Sequence, residues 1–309
     1  MNGSWTTRVS CAAVLVFVAV SSSAQAEDEG RRANRPRLPD SVRGVLNVDY
    51  VGDQNPRQQL DLFLPRRPAA VRLPVLVYIH GGAWRSGDRH AGRGRVLPFM
   101  VGGRFVGATI GYRLTGEARW PAQIHDCKAA IRWIRAHADR YGIDADRIAV
   151  YGHSAGGHLV AMLGVTGGVR EMNGQLGPHT NVSSRVAAVV DFCGPTDFLK
   201  MNDVPGKIDH DAADSPESQL VGGKIQDHPD RCRNASPLTY VTRDDAPFLV
   251  VHGARDRLVP YLQSVLLRTA LKRARVPVKL VTVPNGGHGL GGQEHDLLIQ
   301  RFLERQFKL

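Results

Sequence analysis

Cysteine is scarce in this chain, which contains four cysteines in 309 residues. Their spacings match no pattern of zinc ligands, so we predict no metal site. Cys11 lies in an N-terminal segment that we expect to be removed, and the three that remain allow one disulfide at most. Cys127 in a helical pattern and Cys193 at a strand end are predicted to be small buried residues, whereas Cys232 lies in a polar loop where it can be exposed.

Long apolar runs are also missing, because no stretch approaches the twenty or so residues of a membrane span. We therefore expect no membrane-spanning segment in the mature chain. Basic residues outnumber acidic ones by 40 to 29, which gives a formal net charge of +11, and aromatic residues make up 6%. The basic residues are scattered and form no stripe interleaved with aromatics, which argues against a nucleic-acid partner. The charge predicts a basic soluble surface; the alternative is attraction to an anionic polymer such as acidic cell-wall polysaccharide.

The N-terminal segment has the pattern of a secretory signal. Arg8 supplies the positive charge, residues 12–20 form an apolar run, and Ala24-Gln25-Ala26 fits a cleavage site with small residues. We predict a signal peptide over residues 1–26, export to the periplasm or the medium, and cleavage after Ala26. Residues 27–42 are polar, contain two prolines and predict a flexible linker, followed by a single catalytic domain over 43–309.

Strand-like and helical patterns alternate through this domain. Several of the apolar runs do not alternate with polar residues, which is typical of a parallel sheet covered on both faces. The clearest helical patterns span 121–141 and 294–307, whereas residues 200–234 are rich in Asp, Pro and Gly and predict an irregular insertion near the mouth of the site. The predicted strands are Gly44–Val51, Leu60–Leu64, Pro74–Ile79, Val106–Tyr112, Ile148–Tyr151, Ala187–Phe192, Phe248–His252 and Val278–Val283.

A serine lies between one of these strands and the helix that follows it. Residues 152–156 read Gly-His-Ser-Ala-Gly, a G-x-S-x-G motif in a strand–turn–helix context. Glycines at both ends let the chain turn sharply without side-chain collisions, so that the Ser154 hydroxyl is exposed at the N-terminus of the helix. The motif predicts that Ser154 is a catalytic nucleophile; the alternative is a plain glycine-rich turn.

A serine nucleophile needs a base and a carboxylate that orients the base, and in this architecture they follow in the order Ser, Asp, His. Asp256 lies in the loop after the strand that ends at His252, and His288 lies among glycines after the last strand. We predict Asp256 as the acid and His288 as the base. A helix-capping role is the alternative for Asp256, and Asp197 is the rival acid, although it is better placed to order its own turn.

The strand that ends at Ile79 is followed by His80-Gly81-Gly82-Ala83-Trp84. Paired glycines allow the backbone to present N–H groups inward, and a tetrahedral intermediate needs such donors. We predict an oxyanion hole from the N–H groups of Gly82, Ala83 and Ala155; a simple turn is the alternative. Trp84 is assigned either to substrate binding or to packing of the loop.

Together these motifs resemble the α/β-hydrolase superfamily, and within it the hormone-sensitive-lipase-like carboxylesterases. The most specific similarity is to the bacterial acetyl and feruloyl esterase group (BD-FAE-like), which acts on plant polysaccharide side chains, and it covers about residues 43–307. The stretches 215–218, 222–223 and 235–238 also resemble that group. Ala83 is a departure, because lipase-type members have a third glycine there; the backbone donor is kept, but the acyl site changes shape.

The resemblance implies an α/β-hydrolase fold, with a mostly parallel eight-stranded sheet and helices on both faces. It implies a serine esterase that forms an acyl-enzyme with short-chain acetyl or aryl esters, such as small-molecule esters or polysaccharide side chains, without a metal or organic cofactor. The oligomeric state is left open. One alternative is an amide hydrolase, because the H-G-G-x-W form also resembles the kynurenine formamidase branch, or a peptidase. The other is a non-catalytic binding module that retains the fold.

Overall fold

A computed structural model describes residues 37–309, whose centre is one eight-stranded sheet. The predicted signal peptide and residues 27–36 of the predicted linker lie outside the described residues. The strand order is β1-β2-β4-β3-β5-β6-β7-β8. The strands are β1 Val42–Asp49, β2 Gln59–Pro65, β3 Leu73–Ile79, β4 Val106–Ile110, β5 Ile143–His153, β6 Ala188–Phe192, β7 Phe248–Gly253 and β8 Val278–Val283.

Helices cover the sheet between these strands. The α-helices are α1 Arg93–Met100, α2 Ala122–Ala136, α3 Ala138–Tyr141, α4 Ala155–Val165, α5 Pro216–Val221, α6 Pro229–Ala235, α7 Leu262–Arg273 and α8 Gln293–Phe307. Short 3₁₀ helices span Arg89–Gly92, Arg170–Met172, Phe198–Lys200, Ile225–Asp227 and Pro237–Tyr240. Within residues 37–309, every helix is too short or too polar to cross a bilayer.

The sheet is parallel except at one edge, where β2 runs antiparallel to both β1 and β4. The remaining neighbours pair in parallel. The eight strands predicted from the sequence are all present, and a mostly parallel sheet with helices on both faces is confirmed. Because parallel strands end at the same edge, the loops after β5, β7 and β8 come together there.

Two core layers flank the sheet, and β3 shows how its side chains divide between them. Val75, Val77 and Ile79 belong to one layer, and Leu76 and Tyr78 to the other. The first layer packs against α2, α4 and α7, and the second against α1 and α8. Strands buried on both faces explain the continuous apolar runs of the sequence.

The structure corrects three expectations. The helix predicted over 121–141 is two helices, α2 and α3, which meet at His137. The segment 200–234 is more ordered than predicted, since it contains α5, the 3₁₀ helix Ile225–Asp227 and most of α6. Cys232 is buried on α6 rather than exposed in a loop, and Cys127 and Cys193 are buried as predicted; all three are free thiols.

The first strand begins within the segment that the sequence predicts as a linker. Residues 38–309 form one compact unit. β1 starts at Val42, which is buried although the predicted linker ran to residue 42.

Candidate active site

Ser154 occupies a tight turn between the end of β5 and the start of α4. Its backbone dihedrals are φ 59° and ψ −123°, a region that residues with a Cβ rarely adopt. Its N–H donates to the carbonyl of Phe192 at 2.8 Å, which ties the turn to the end of β6. Such strain persists only where the surrounding structure imposes it, and it is typical of functional sites.

The two glycines of the motif are required by close backbone approach. A Cβ on Gly152 would overlap the carbonyl oxygen of Gly156. A Cβ on Gly156 would overlap the carbonyl oxygen of Ile79, at the end of β3. Both obstacles are backbone atoms that cannot rotate away, so the G-x-S-x-G pattern reflects the packing of α4 against β3.

Asp256 and His288 are joined by a hydrogen bond at the end of β7 and β8. His288 Nδ1 lies 2.7 Å from Asp256 Oδ2, and the Asp256 carboxylate is fully buried. The other oxygen, Oδ1, accepts from the N–H groups of Leu258 and Val259 at 2.8 and 3.0 Å. Asp256 therefore also orders its own loop, so the capping role considered for it coexists with the contact to His288.

His252 is a partner of Asp256 that the sequence did not reveal. Its Nε2 lies 3.2 Å from Asp256 Oδ2 and 3.0 Å from the carbonyl of Val259. Its Nδ1 lies 2.7 Å from Ser264 Oγ, which donates to it and thereby leaves the proton on Nε2. The available signal in the sequence is the spacing of four residues between His252 and Asp256.

The Asp256 carboxylate is held in its charged form. Burial by itself would raise the pKa of this carboxyl, but the hydrogen bonds from His252 and His288 and the charge of a protonated His288 hold the pKa well below its usual value. A permanently ionised carboxylate can fix the Nδ1–H tautomer of His288, which leaves the Nε2 lone pair available as a base.

Ser154 and His288 are linked through their neighbours. His153, directly before Ser154, donates from Nε2 to the carbonyl of His288 at 2.6 Å, and the two rings are 4.9 Å apart. Cys193 lies 3.4 Å from His153 Nε2. Within residues 37–309 no hydrogen bond joins Ser154 Oγ to the His288 ring. Contacts of this kind are often longer in a site without substrate.

The loop after β3 lies directly against the Ser154 turn. A Cβ on Gly81 would be 3.4 Å from the Ser154 Cβ. Gly82 and Ala83 both have positive φ, at 109° and 54°. The Gly82 carbonyl accepts from the N–H groups of Arg85 and Ser86, both at 3.0 Å, so the Ala83 N–H of the same peptide points the opposite way.

The predicted oxyanion donors are free in the described part of the chain. The Gly81 carbonyl faces the ring of His80 at 2.7 Å, so the N–H of Gly82 points away from that ring. The N–H of Ala155 is at the first position of α4, where no intrahelical acceptor exists. No hydrogen bond within residues 37–309 uses the N–H of Gly82, Ala83 or Ala155 as its donor.

Trp84 anchors this loop from inside the protein. Its side chain is 1% exposed, and its indole N–H donates to His158 Nδ1 at 3.1 Å. His158 Nε2 in turn donates to the carbonyl of Ala235 at 2.7 Å, and the Trp84 ring is 5.5 Å from that of Phe198. Of the two roles considered for Trp84, these contacts support packing of the loop. They also show how α6 and the segment after β6 brace the site.

Asp197, the rival acid, is engaged elsewhere. Its Oδ1 accepts from the N–H of Leu199 at 3.2 Å and caps the 3₁₀ helix Phe198–Lys200. Its Oδ2 lies 3.5 Å from Lys200 Nζ. Asp197 therefore orders its own turn, as predicted.

Comparison with known proteins finds a family model and named relatives that this chain resembles. A family model described as BD-FAE matches residues 60–271. Esterase LipC of Mycobacterium tuberculosis is 37% identical over 76% of this chain and 57% of its own length, and the probable carboxylic ester hydrolase LipM of the same organism is 34% identical over 71% and 49%. The chain thus spans about half the length of the curated relatives it matches.

Solved structures share the fold over most of this chain. A truncated carbohydrate esterase from gut microbiota superposes with a TM-score of 0.82 and 32% identity, covering 89% of this chain and all of that one. Esterase B from Lactobacillus rhamnosis has a TM-score of 0.73 and 25% identity, with 94% of each chain covered.

Proposed function

Because this chain belongs to the BD-FAE family and has the α/β-hydrolase fold, we propose that it is a carboxylic ester hydrolase acting through Ser154, His288 and Asp256. The observation that carries the proposal is the 2.7 Å hydrogen bond between the buried Asp256 carboxylate and His288, at the same sheet edge as the strained Ser154 turn. Relatives with esterase names support the reaction type.

The reaction begins with attack of Ser154 Oγ on the ester carbonyl. His288 accepts the hydroxyl proton on Nε2, because its Nδ1 is committed to Asp256, and then gives that proton to the leaving alcohol. The resulting acyl-enzyme is cleaved by water, with His288 again acting as the base. Asp256 stays ionised and offsets the positive charge of the imidazolium.

The carbonyl oxygen becomes negatively charged when the tetrahedral intermediate forms. The free N–H groups of Gly82, Ala83 and Ala155 are the donors for this charge, since the first two directly follow Gly81, which lies against the Ser154 turn, and the third begins α4. Their positions are fixed before substrate arrives, because the buried Trp84 holds the loop to His158. Fixed donors stabilise the charge without reorganising during the reaction.

His252 is a positioning residue in this scheme. Its side chain is fully buried, and with Ser264 behind it the Nε2–H is directed at Asp256. Asp256 is thereby held from two sides, by His252 and by its own loop N–H groups. This support keeps the His288 ring in one orientation.

We propose short-chain acetyl or aryl esters as substrates, including ester groups on polysaccharides. The likeness to a carbohydrate esterase from gut microbiota supports a carbohydrate ester. We also propose export, supported by the signal-like residues 8–26; mature protein starting at Met1 in N-terminal sequencing would refute export.

The test combines an ester panel with an active-site label. Acetyl, butyryl and feruloyl esters, acetylated xylan and N-formylkynurenine are offered to wild type, Ser154→Ala and the control Ser183→Ala, which alters an exposed serine before β6. We expect Ser154→Ala to lower ester turnover by about 10³-fold or more and to lose fluorophosphonate labelling, while Ser183→Ala behaves as wild type. Undiminished hydrolysis by Ser154→Ala refutes the mechanism, and preference for N-formylkynurenine favours an amidase.

A further inference from the structure

We propose that a pocket beside the Ser154 turn binds a uronic acid residue of the substrate, so that the favoured esters are those on acidic polysaccharides. The pocket has a volume of about 460 Å³, which is within the range of small-molecule binding sites. The inference rests on the proposed ester hydrolysis and names the class of polymer that carries the ester. The wall of the pocket includes Arg119, Trp120, Val221, Asp230, Arg231 and Asn234.

The pocket lies at the same edge of the sheet as the Ser154 turn. One wall is the segment between β4 and α2, and the other belongs to α5 and α6, which follow β6. Because β4, β5 and β6 run parallel, both segments leave the sheet at the edge where β5 ends. His158 connects the two places, since its N–H donates to the Ser154 carbonyl at 2.9 Å and its ring is 5.4 Å from that of Trp120. The pocket is therefore next to the first turn of α4, where the proposed nucleophile lies.

Two arginines converge on Gly222 without a carboxylate partner. Arg119 lies across this glycine, where a Cβ would be 2.7 Å from Arg119 Cδ and 2.9 Å from Nη1. Arg231 donates from Nη1 to the carbonyls of Val221 and Gly222 at 3.4 and 3.2 Å, which leaves its other N–H groups unused. Within residues 37–309, Arg119 has no hydrogen bond or ion pair, and Arg231 has no ion pair. Neighbouring guanidinium groups with free donors suit a carboxylate, whose two oxygens accept from both.

Asp230, a carboxylate in the wall of the pocket, does not neutralise these arginines. Its Oδ1 is paired with Arg233 Nη2 at 2.6 Å, one turn further along α6. The pair of Asp230 and Arg233 has no net charge, so Arg119 and Arg231 leave the pocket positively charged. A neutral sugar gains nothing from this charge, whereas the carboxylate of a uronic acid is attracted by it.

Trp120 and Asn234 supply a surface for the sugar ring. The indole N–H of the partly exposed Trp120 donates to Asn234 Oδ1 at 2.7 Å, which fixes both side chains. Because the amide oxygen of Asn234 is used, its NH₂ group is left to donate to a sugar oxygen. The indole face is apolar and packs on the C–H groups of a pyranose ring. An inorganic anion would leave this face unused, so the pocket matches a sugar that carries a carboxylate.

Binding is tested first, with ligands that contain no ester. Tri-galacturonate and a glucuronate-substituted xylotriose are titrated calorimetrically into wild type, with galactotriose and xylotriose as their neutral counterparts. At least one uronate should bind about tenfold or more tightly than its counterpart, and the one that does identifies the polymer. Arg119→Gln should weaken this binding by about tenfold, because hydrogen bonds to a charged group are lost. The control Arg243→Gln, which alters an exposed arginine before β7, should bind as wild type does.

Turnover gives a second measurement. For wild type, kcat/KM should be higher on an acetylated uronate oligosaccharide than on an acetylated neutral one. The ratio of these two values should fall by about tenfold in Arg119→Gln and should not change in Arg243→Gln.

Equal affinity of wild type for uronates and their neutral counterparts would overturn the proposal, as would unchanged uronate affinity in both Arg119→Gln and Arg231→Gln. If Arg119→Gln does not fold by circular dichroism, Arg231→Gln and the loss of wild-type uronate affinity in added NaCl decide the matter. The titrations require no turnover. A protein that binds uronates but cleaves no ester would therefore refute the proposed function and leave the binding site standing.

Discussion

The folding stability of this protein should depend on pH through His158, a buried histidine behind the oxyanion loop. His158 has no exposed surface, accepts from the Trp84 indole through Nδ1 and donates to the Ala235 carbonyl through Nε2. Burial lowers the pKa of His158 to about 4, although the bond to Ala235 opposes the shift. Protonation of His158 at Nδ1 would place a second N–H against the Trp84 N–H. Low pH should therefore weaken the contact that anchors the loop.

The magnitude follows from the two pKa values. An unfolded histidine titrates near pH 6.5, so between about pH 6.5 and 4 the unfolded chain binds a proton that folded His158 does not. Folding stability therefore falls as the pH is lowered through this window and is fully retained above it. The contribution of His158 is a loss of about 2 kcal/mol at pH 5 and about 3 kcal/mol at pH 4.

The perturbation is His158→Gln, whose amide can accept from Trp84 and donate to Ala235 without titrating. Urea unfolding of wild type and variant is followed from pH 7 to 4.5. Any fixed cost of the substitution appears at every pH. The predicted quantity is the difference in the free energy of unfolding between variant and wild type. It should shift by about 2 kcal/mol in favour of the variant between pH 7 and 5.

A matched control is His295→Gln, which removes a partly exposed histidine from the first turn of α8. The difference between the two variants in the pH dependence of the free energy of unfolding gives the contribution of the buried His158 ring. If wild type and His158→Gln lose stability in parallel as the pH falls, the assignment of acid sensitivity to His158 is wrong.

Three further predictions concern the interior and the site. Burial lowers the pKa of Lys128 to about 7, so wild-type stability should rise by about 2 kcal/mol between pH 7 and 9, and Lys128→Met should remove that rise in urea unfolding; an unchanged slope contradicts it. Gly156→Ala should destabilise the fold by about 3 kcal/mol or more, whereas Gly116→Ala, which meets open space, should cost less than about 1 kcal/mol; similar losses in both would argue against the tight turn. Asp256→Asn should lower kcat for ester hydrolysis by about 10³-fold or more, and a drop below tenfold would remove Asp256 from the mechanism.

The strands and the site loops were predictable because their constraints are local. An unbroken apolar run such as β3 has one stable environment, between two layers of helices. Ser154 was found because close backbone contacts demand glycine at fixed spacing around it, and that demand is visible in the sequence. Asp256 and His288 follow strands that end at the same edge, so their hydrogen bond is a consequence of parallel pairing.

Long-range packing was not predictable in the same way. Cys232 lies in a polar stretch where exposure was expected, and His210 lies in another polar stretch, yet both are buried. His210 is paired with Glu217 at 2.8 Å, a partner that only the folded segment supplies. The contact of His252 with Asp256 was missed for a related reason: a histidine that ends a strand shows no sign in the sequence of what its ring faces.

The position of β8 gives the two halves of the site different local stability. The turn bearing Ser154 follows β5, an interior strand with neighbours on both sides. The loop bearing His288 follows β8, which within residues 37–309 pairs with β7 alone and is partly exposed. Local opening of a strand at the edge of a sheet costs less free energy than opening an interior strand. Amide hydrogens of residues 278–283 should therefore exchange sooner than those of β5. On warming, catalytic activity should be lost while most amide hydrogens of the sheet are still protected from exchange. On cooling, activity should return without global refolding.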